Sequence, residues 1–289
     1  MLPFRKIVFP VDFSEACTAI VPYVGEMRDR NQAELTLLHA FDPAPAVFVQ
    51  PGLVPMGGYV PLADLRGREE SRLGDFAREH FPGLKPALHV MDGDPGGVIT
   101  DFVNKQGADL VMMATAGHGL LRRFLLGSNT SKVLHDVSCA IWTGVRSSKP
   151  EYRPRVPYES IACAINTDDE AEAVLKAAAM LARAYSAKLR LVHAVETPPL
   201  TWEVDYAPYR KSLVDAADAY LRRLKSEMEP EATVDVLEGP LTETMHHFAV
   251  EHQVDLIVAG RGHSQGNVSR LWSQLYSMIR DSPCPILSV

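Results

Sequence analysis

The order of apolar and polar positions along the chain predicts short buried strands that alternate with amphipathic helices. This alternation is typical of a parallel sheet built from βαβ units. In the first half it predicts five strands, at 6–11, 34–40, 86–91, 109–114 and 139–145. Helices are predicted at 14–30, 62–81, 95–106 and 128–136. Pro22 lies inside the first of these, so we expect that helix to be kinked or shortened there.

The second half of the chain repeats the same order of elements. Its predicted strands lie at 160–165, 188–195, 232–237, 255–260 and 284–289, and its helices at 169–185, 208–227, 241–252 and 270–280. Individual residues recur as well, because Lys6–Asp12 returns as Ser160–Asn166 and Asp109–Ala114 returns as Asp255–Gly260. We therefore predict an α/β protein with two tandem domains, each with an open five-stranded parallel sheet. The domains span 1–146 and 158–289, and a proline-rich linker joins them at 147–157.

Composition and charge narrow the possible functions. With 46% hydrophobic and 22% charged residues, the chain has the composition of a globular protein. A net charge of −7 and the lack of a Lys/Arg cluster argue against nucleic-acid and membrane partners. Without a signal peptide or a long apolar stretch, we expect a cytoplasmic protein. The cysteines stand singly, which favours reduced thiols over a disulfide or metal framework, at Cys17, Cys139, Cys163 and Cys284.

A candidate phosphate site follows the fourth strand of the first half. In open parallel sheets, ligands bind at the carboxyl ends of the strands, and phosphates bind where a glycine loop opens a helix. Met113 and Ala114 end this strand, Gly117 and His118 follow, and Gly127-Ser128 begins the next helix. Backbone N–H groups at such a helix start bind phosphate oxygens. Asp12, at the end of the first strand, is placed to face the sugar or base, although capping the first helix beside Ser14 is the alternative role.

These residues resemble the universal stress protein family, specifically its tandem two-domain members. Ala114, Gly117, Gly127 and Ser128 match the spacing of the family's nucleotide motif G-x2-G-x9-G-[S/T], with alanine in place of the first glycine. The resemblance includes four further segments, at Phe9–Ser14, Leu38–Ala40, Gly93–Pro95 and Ser282–Ile286. It implies a Rossmann-like fold of the adenine-nucleotide alpha-hydrolase-like kind.

The resemblance also implies ATP as the ligand, with or without Mg²⁺. By analogy with the ATP-binding members, the first strand's end and Ala40 face adenine, Met113 and Ala114 lie near the ribose, and the glycine loop holds the phosphates. The predicted site consists of Pro10, Val11, Asp12, Ala40, Met113, Ala114, Gly117, His118, Gly127, Ser128 and Asn129. For His118, an exposed loop role is an equally open alternative. Alanine at 114 is tolerated where φ is negative and costs about 1 kcal/mol where φ is positive.

The second copy has lost the motif. The positions aligned with Asp12, Ala114, Gly117, Gly127 and Ser128 are occupied by Asn166, Gly260, His263, Ser273 and Gln274. We therefore expect that this half does not bind ATP in the family's manner. It serves instead as a structural partner in an intramolecular pseudo-dimer, for which 139–145 and 284–289 are the candidate pairing strands. Monomer and homodimer both remain open.

Several other patterns have a functional and a structural interpretation. Gly262–Gly266 matches the hydrolase motif G-x-S-x-G, but no histidine follows Ser264, so a chance match is favoured. The second copy's histidines at 246, 247, 252 and 263 lack zinc spacing. His39 and His193 end equivalent strands, which indicates a packing or hydrogen-bonded core role rather than catalysis. The apolar loop 43–61 is a lid, an oligomer contact or local core, and Arg66–Arg72 is interpreted as a solvated helix face.

The sequence thus predicts an ATP-binding stress-response protein that acts as a nucleotide-dependent regulator or interaction protein, with a protein partner that the sequence does not identify. Fast ATPase activity is not expected, because the chain has no P-loop lysine and no evident catalytic base. Two alternatives remain open at this point. One is a nucleotide-independent scaffold, and the other is a slow ATPase.

Overall fold

The computed structural model describes residues 4–43, 61–115, 127–145, 154–166, 170–196, 207–229, 231–261 and 268–289. Contacts divide the chain into two compact units, which we call the first unit (Pro3–Ile141) and the second unit (Trp142–Val289). Each unit has parallel strands that alternate with helices along the chain. The predicted α/β class with two tandem parallel-sheet domains is confirmed.

In the first unit the strands follow the order β3-β2-β1-β4-β5. They are β1 (Lys6–Pro10), β2 (Glu34–Phe41), β3 (Ala87–Asp92), β4 (Leu110–Met113) and β5 (Ala140–Thr143), the last of which crosses the unit boundary. The helices are α1 (Glu15–Ala19), α2 (Val21–Asn31), α3 (Leu62–His80), α4 (Pro95–Gln106) and α5 (Ser128–Asp136). Because β1 pairs in parallel with both β2 and β4, the strand order reverses at β1.

The second unit repeats this arrangement in the order β8-β7-β6-β9-β10. Its strands are β6 (Ser160–Ala164), β7 (Lys188–Val195), β8 (Thr233–Glu238), β9 (Leu256–Ala259) and β10 (Ile286–Ser288). Its helices are α6 (Ala171–Tyr185), α7 (Ala207–Met228), α8 (Leu241–Glu251) and α9 (Val268–Asp281). Here β6 pairs with β7 and β9, so the reversal lies at β6.

The burial of the strands explains their sequences. Every residue of β4 and β9 is buried, as expected for central strands covered on both faces, and both strands are continuous apolar runs. The edge strand β3 is mostly exposed and carries polar residues among its apolar ones. The core of each unit therefore lies on its central strands and the helices that cover them.

The predicted kink at Pro22 is confirmed as a break between two helices. α1 ends at Ala19, Ile20 separates the helices, and Pro22 lies in the first turn of α2. Proline fits there because the N–H groups of the first helical turn have no carbonyl partner within the helix. Deeper in a helix, the proline ring clashes with the carbonyl four residues earlier. The second copy has no proline at this place, and α6 is continuous from Ala171 to Tyr185.

Two equivalent aspartates hold the starts of the central strands together. Asp109 accepts hydrogen bonds from the backbone N–H groups of Arg5 and Lys6, at 2.8 and 2.9 Å. Asp255 accepts from three N–H groups, those of Arg155 at 2.7 Å, Glu159 at 2.9 Å and Ser160 at 3.0 Å. Asp255 is only 1% exposed, whereas the Asp109 bonds are exposed to solvent. The equivalent hydrogen bonds therefore contribute more to the stability of the second unit than to that of the first.

The last two residues of β5, Trp142 and Thr143, belong to the second unit. Trp142 is fully buried, and its indole N–H donates to the Tyr158 hydroxyl at 2.9 Å. The Thr143 hydroxyl donates to the carbonyl of Ile286 in β10 at 3.2 Å. Both bonds therefore lie within the second unit. Separately, no helix in the described parts of the chain is long and apolar enough to cross a membrane.

We expect Asp255→Ala to lower the free energy of unfolding of the second unit by about 3 kcal/mol, because three backbone N–H groups lose a charged, buried acceptor. The matched Asp109→Ala variant should lower the stability of the first unit by about 1 kcal/mol. All three tryptophans, Trp142, Trp202 and Trp272, belong to the second unit. Tryptophan fluorescence during urea denaturation therefore measures the Asp255 effect, and circular dichroism measures both. An Asp109→Ala variant that shifts the fluorescence midpoint as far as Asp255→Ala does would contradict this assignment.

Candidate functional site

A cavity of about 250 Å³ lies in the first unit where the strand order reverses. It is formed by the carboxyl ends of β1, β2 and β4 and by the starts of α4 and α5. All predicted site residues that the structure describes line it, namely Pro10, Val11, Asp12, Ala40, Met113, Ala114, Gly127, Ser128 and Asn129. Gly117 and His118 lie outside the described residues. Residues far apart in the sequence are thus brought to one crevice, as expected for an open parallel sheet.

Asp12 both lines the cavity and supports the start of α1. Its Oδ1 accepts hydrogen bonds from the N–H and the hydroxyl of Ser14, at 3.0 and 2.6 Å. Ser14 is the N-cap of α1, and its Oγ accepts from the Cys17 N–H at 3.1 Å. Asp12 therefore does not cap α1 itself, but its carboxylate holds the N-cap residue Ser14 in place. Asp12 is also exposed at the cavity, so the ligand role stays a prediction.

The residue after Asp12 has a strained backbone that its neighbours hold in place. Phe13 has a φ of 59°, which is rare for a bulky side chain. Its ring lies 4.6 Å from the His39 ring, and the Arg72 guanidinium lies over it at 4.0 Å. Such strain persists where surrounding contacts enforce it, and here it sets the direction in which the chain leaves β1.

His39 has the hydrogen-bonded core role that the sequence indicates. Its Nδ1 donates to the Val11 carbonyl at 2.7 Å, and in the second unit His193 makes the same bond to Ile165 at 2.8 Å. The other ring nitrogen of His39 lies 3.3 Å from a carboxylate oxygen of Glu69. The interpretation of Arg66–Arg72 as merely solvated is therefore wrong for this half-buried glutamate, because β2 lies beneath α3 and brings His39 within its reach.

The inner wall of the cavity is apolar. Cys17, Leu38, Ile99 and Met113 line it, and each is at most 5% exposed. Burial raises the pKa of the Cys17 thiol to about 12, so this side chain is neutral at physiological pH. A flat apolar group fits this wall better than a charged one.

The start of α5 forms the opposite, polar side. Its N-cap is Gly127, which has no side chain with which to cap the helix, whereas Ser14 and Asp94 cap α1 and α4. The Gly127 N–H donates to the Thr115 carbonyl at 3.3 Å, and the Thr130 hydroxyl donates to the Ala114 carbonyl at 3.3 Å. These bonds fix the helix start against the end of β4. An uncapped helix start beside a cavity is suited to an anion.

The chain itself does not require glycine at position 127. Its φ of −56° is open to any residue. A Cβ there would meet only Thr130 Oγ1 at 3.5 Å and the Thr115 carbonyl at 3.7 Å, which are ordinary contacts. Among the described residues, none therefore requires glycine at position 127. A glycine there leaves the backbone of the helix start accessible to close approach by a ligand.

Alanine at position 114 is compatible with the backbone. Among the described non-glycine residues, those with positive φ are Phe13, Gln32, Ser186 and Gln253, so Ala114 is outside the left-handed region. The alanine that departs from the family's motif thus adds no backbone strain here.

Sequence reasoning missed several lining residues, namely Cys17, Leu38, Pro95, Ile99 and Thr130. Pro95 follows Asp94, which caps α4 through the Gly97 N–H at 2.9 Å. The Gly97 N–H and the Lys132 ammonium hold the pKa of the exposed Asp94 carboxyl below its usual value. A Cβ at Gly96 would lie 3.0 Å from the Lys132 side chain, so this glycine lets α4 and α5 pack closely. The Gly93–Pro95 segment was the signal in the sequence that could have identified Pro95 as a lining residue.

The second unit differs most at its last helix. α9 begins at Val268, so Gln274, the counterpart of Ser128, lies within the helix and not at its start. A backbone N–H at that depth donates to the carbonyl four residues earlier and cannot bind a phosphate. Asn166, Gly260 and Gln274 still line a cavity. Ser273 is on α9, and His263 and the G-x-S-x-G segment lie outside the described residues.

Metal binding has no support in the described residues. Among them, no group of three or more His, Cys, Asp or Glu side chains could hold a metal ion. His246 bonds instead through Nδ1 to the Asp281 carbonyl at 2.7 Å.

The known proteins to which this chain is similar belong to one family. The model of the universal stress protein family matches twice, over residues 3–143 and 157–289. A universal stress protein of Methanocaldococcus jannaschii, MJ0531, is 28% identical over 141 residues, which is 48% of this chain and 80% of that protein. A solved universal stress protein from Archaeoglobus fulgidus has a TM-score of 0.68 at 17% identity and covers 98% of this chain and 95% of its own.

A second solved structure, described as a putative universal stress protein from Pseudomonas aeruginosa, covers 99% of this chain and 93% of its own, with a TM-score of 0.64 at 14% identity. At these identities the two structures support the fold alone. The family model, by contrast, matches both copies and nearly the whole chain. The chain therefore belongs to the universal stress protein family.

Proposed function

We propose that the first unit binds an adenine nucleotide, ATP with Mg²⁺, and that the chain acts as a nucleotide-dependent stress-response regulator that binds other proteins. One observation carries the proposal. The strand ends and the uncapped start of α5 form a single cavity, and the predicted nucleotide residues lie on its walls.

The described residues fit the parts of a nucleotide. The apolar wall suits the adenine ring, Asp12 and Ala40 lie at the strand ends beside it, and Met113 and Ala114 are placed for the ribose. The phosphates would meet the first N–H groups of α5 and the Ser128 hydroxyl. At about 250 Å³ the cavity is smaller than most ligand pockets, so it encloses the nucleoside part while the phosphates extend outward.

Mg²⁺ needs no dedicated protein cage in this arrangement. It binds to nucleotides through phosphate oxygens and keeps several water molecules. The described lining residues contain one carboxylate, that of Asp12, and Asp12 bonds to Ser14. We therefore propose that the metal accompanies the phosphates.

The same lining residues are poorly equipped for phosphoryl transfer. Fast transfer uses a lysine or arginine to stabilise charge and a base or polar residue to orient the nucleophile. Within the described lining there is no lysine, arginine or histidine. We propose that the nucleotide serves as a ligand that stabilises a conformation or assembly, and that hydrolysis is very slow or absent.

The second unit has a supporting role in this proposal. Because α9 begins at Val268 and Gln274 lies within it, we propose that this unit does not bind ATP in the manner proposed for the first. We propose that it is the structural partner of the first unit in an intramolecular pseudo-dimer. A homodimer of complete chains is compatible with this role, as is a cytoplasmic location.

Gly127→Val should weaken ATP binding at least tenfold in the presence of Mg²⁺, since a branched side chain would occupy the approach to the α5 start and displace phosphate from charged hydrogen bonds. Isothermal titration calorimetry on the full chain gives affinity and stoichiometry together. Wild-type protein should bind one ATP per chain.

Ser273→Val is the matched control, because Ser273 occupies the equivalent place in the second unit and is exposed. It should leave affinity and stoichiometry unchanged, and thermal denaturation should show that both variants fold. If wild-type protein binds no ATP, the nucleotide proposal fails and a nucleotide-independent scaffold is the better description. Binding that Gly127→Val leaves intact would place the nucleotide elsewhere.

Purified protein should retain bound ATP without multiple turnover. Incubation with radiolabelled ATP, followed by separation of ATP from ADP, measures this directly. Ser273→Val should leave the low background rate unchanged, because Ser273 lies in the second unit, to which we assign no nucleotide. Turnover on the order of the 1–100 per second found for kinases, and lost in Ser128→Ala, would show an enzyme instead.

A further inference from the structure

A buried histidine lies directly behind the cavity of the first unit. His39 stands between Leu38 and Ala40 on β2, and these two neighbours line the cavity. Because side chains alternate along a strand, the His39 ring points to the opposite face, where α3 packs on β2. Its Nδ1 lies 2.7 Å from the carbonyl oxygen of Val11, another lining residue. The ring is thus placed between α3 and the backbone of the cavity wall.

The contact with Val11 fixes the position of one proton on the ring. A backbone carbonyl can only accept a hydrogen bond, so Nδ1 of His39 must carry the hydrogen. A neutral imidazole has one N–H group, and its other nitrogen, Nε2, then has none. Nε2 faces α3, at 3.3 Å from Oε2 of Glu69. A second proton on Nε2 therefore decides whether the ring presents a positive charge to the glutamate.

The position of Glu69 favours the protonated ring. Its Oε2 is itself buried, and a buried carboxylate oxygen is stable only beside a cation or a donor. The structure places His39 next to this oxygen and, at 3.6 Å, the guanidinium of Arg72. Arg72 is exposed, so water screens its charge. A proton on Nε2 of His39 supplies a positive charge in the buried part of the contact.

Other charged groups on the elements around this ring have partners of their own. Arg66 on α3 pairs with Asp92 at the end of β3. After β1, the Asp12 carboxylate accepts hydrogen bonds from Ser14. We therefore assign the charge interaction of the His39 ring to α3, through the contact described above.

The same ring supports the strained turn that follows β1. Phe13, with its φ of 59°, has its ring 4.6 Å from the His39 ring and 4.0 Å from the Arg72 guanidinium. Phe13 directly follows Asp12, which lines the cavity. Movement of the histidine ring would therefore reach Asp12 from both sides, through Val11 and Phe13.

The second unit keeps the histidine and has a different residue in place of the glutamate. His193 makes the equivalent contact with a carbonyl at the end of β6, at 2.8 Å. The first buried residues of the covering helices are Leu73 in α3 and, among the described residues of α7, Ala217. Four residues before them lie Glu69 and Leu213. The acidic partner is therefore found in the unit that has the candidate nucleotide site.

We propose that His39 and Glu69, which we call the latch, are positioning residues whose contact depends on a proton and holds the end of β1 in place for the nucleotide. With His39 protonated on both nitrogens, the imidazolium attracts the Glu69 carboxylate and holds α3 against β2. Loss of the Nε2 proton removes this attraction. Because the latched form holds one proton more, raising the pH favours its release. The effect on ATP rests on the nucleotide site proposed above, whereas the latch itself does not.

The first experiment measures the latch without nucleotide. Urea denaturation of the full chain, followed by circular dichroism, compares wild type with Glu69→Gln at about pH 5.5 and about pH 8.5, on either side of the range in which most histidines titrate. Glutamine keeps the shape of the side chain but has no charge that needs a cation. At the lower pH the wild type should have a folding equilibrium constant up to about fivefold larger, and at the higher pH this advantage should be lost.

Glu70→Gln is the matched control, because it removes the same charge at the next, exposed position of α3. It should behave as wild type does at both pH values. Tryptophan fluorescence in the same samples follows the second unit and should not differ between the proteins. An equal advantage of wild type over Glu69→Gln at both pH values would show a contact that needs no proton and would overturn the proposal. Equal stability at the lower pH would overturn it as well.

The second experiment measures the positioning effect on ATP. Glu69→Leu introduces the residue of the second unit and should weaken ATP binding, with Mg²⁺ present, by up to about fivefold at about pH 5.5 and by less at about pH 8.5. Isothermal titration calorimetry on the full chain gives both affinities. The ratio of variant to wild type removes the titration of ATP itself, which is common to both proteins. Glu70→Gln should bind ATP as wild type does.

The two experiments separate the two proposals. ATP binding that is equally tight in wild type and Glu69→Leu at both pH values would overturn the positioning role and leave the nucleotide site intact. If the wild type binds no ATP, the nucleotide proposal fails and the positioning role fails with it. The denaturation experiment then still decides whether the latch exists.

Discussion

The central constraint in this protein is that one strand in each unit pairs in parallel with a neighbour on each of its two sides. β1 lies between β2 and β4, and β6 lies between β7 and β9. The connections after these strands therefore diverge, and a crevice opens at their carboxyl ends. Both cavities lie in such a crevice. The chemistry of each unit depends on which side chains and helix starts reach it.

The two units show how little must change to alter that chemistry. In the first unit an uncapped helix starts beside the crevice, which favours an anion. In the second unit the corresponding helix, α9, begins before Gln274, the counterpart of the first residue of α5. Its free N–H groups therefore do not lie at the position equivalent to the α5 start. Glu170 and Glu196 line that crevice instead. Strand pairing is retained while the residues that line the crevice differ.

Most of the architecture could be predicted from the sequence, because buried strands and amphipathic helices have distinct periods. α4, α5 and β7 begin and end where the sequence predicted them. The described residues of the candidate site in the first unit were also predictable, since the motif spacing and the strand ends identify them. Cys17, Ile99 and Thr130 were not, because their position at the cavity depends on how helices pack across the sheet.

By itself the sequence determined the repeat, the fold class and the loss of the nucleotide motif in the second copy. Only the tertiary structure decided what those differences mean physically. It showed that Ala114 is unstrained, that the Gly127 position is open to a Cβ, and that α9 extends past Gln274. It also brought Glu170 and Glu196 to one cavity. Periodicity is a local property of the chain, whereas backbone angles, free space and charge at a crevice arise only when distant segments pack together.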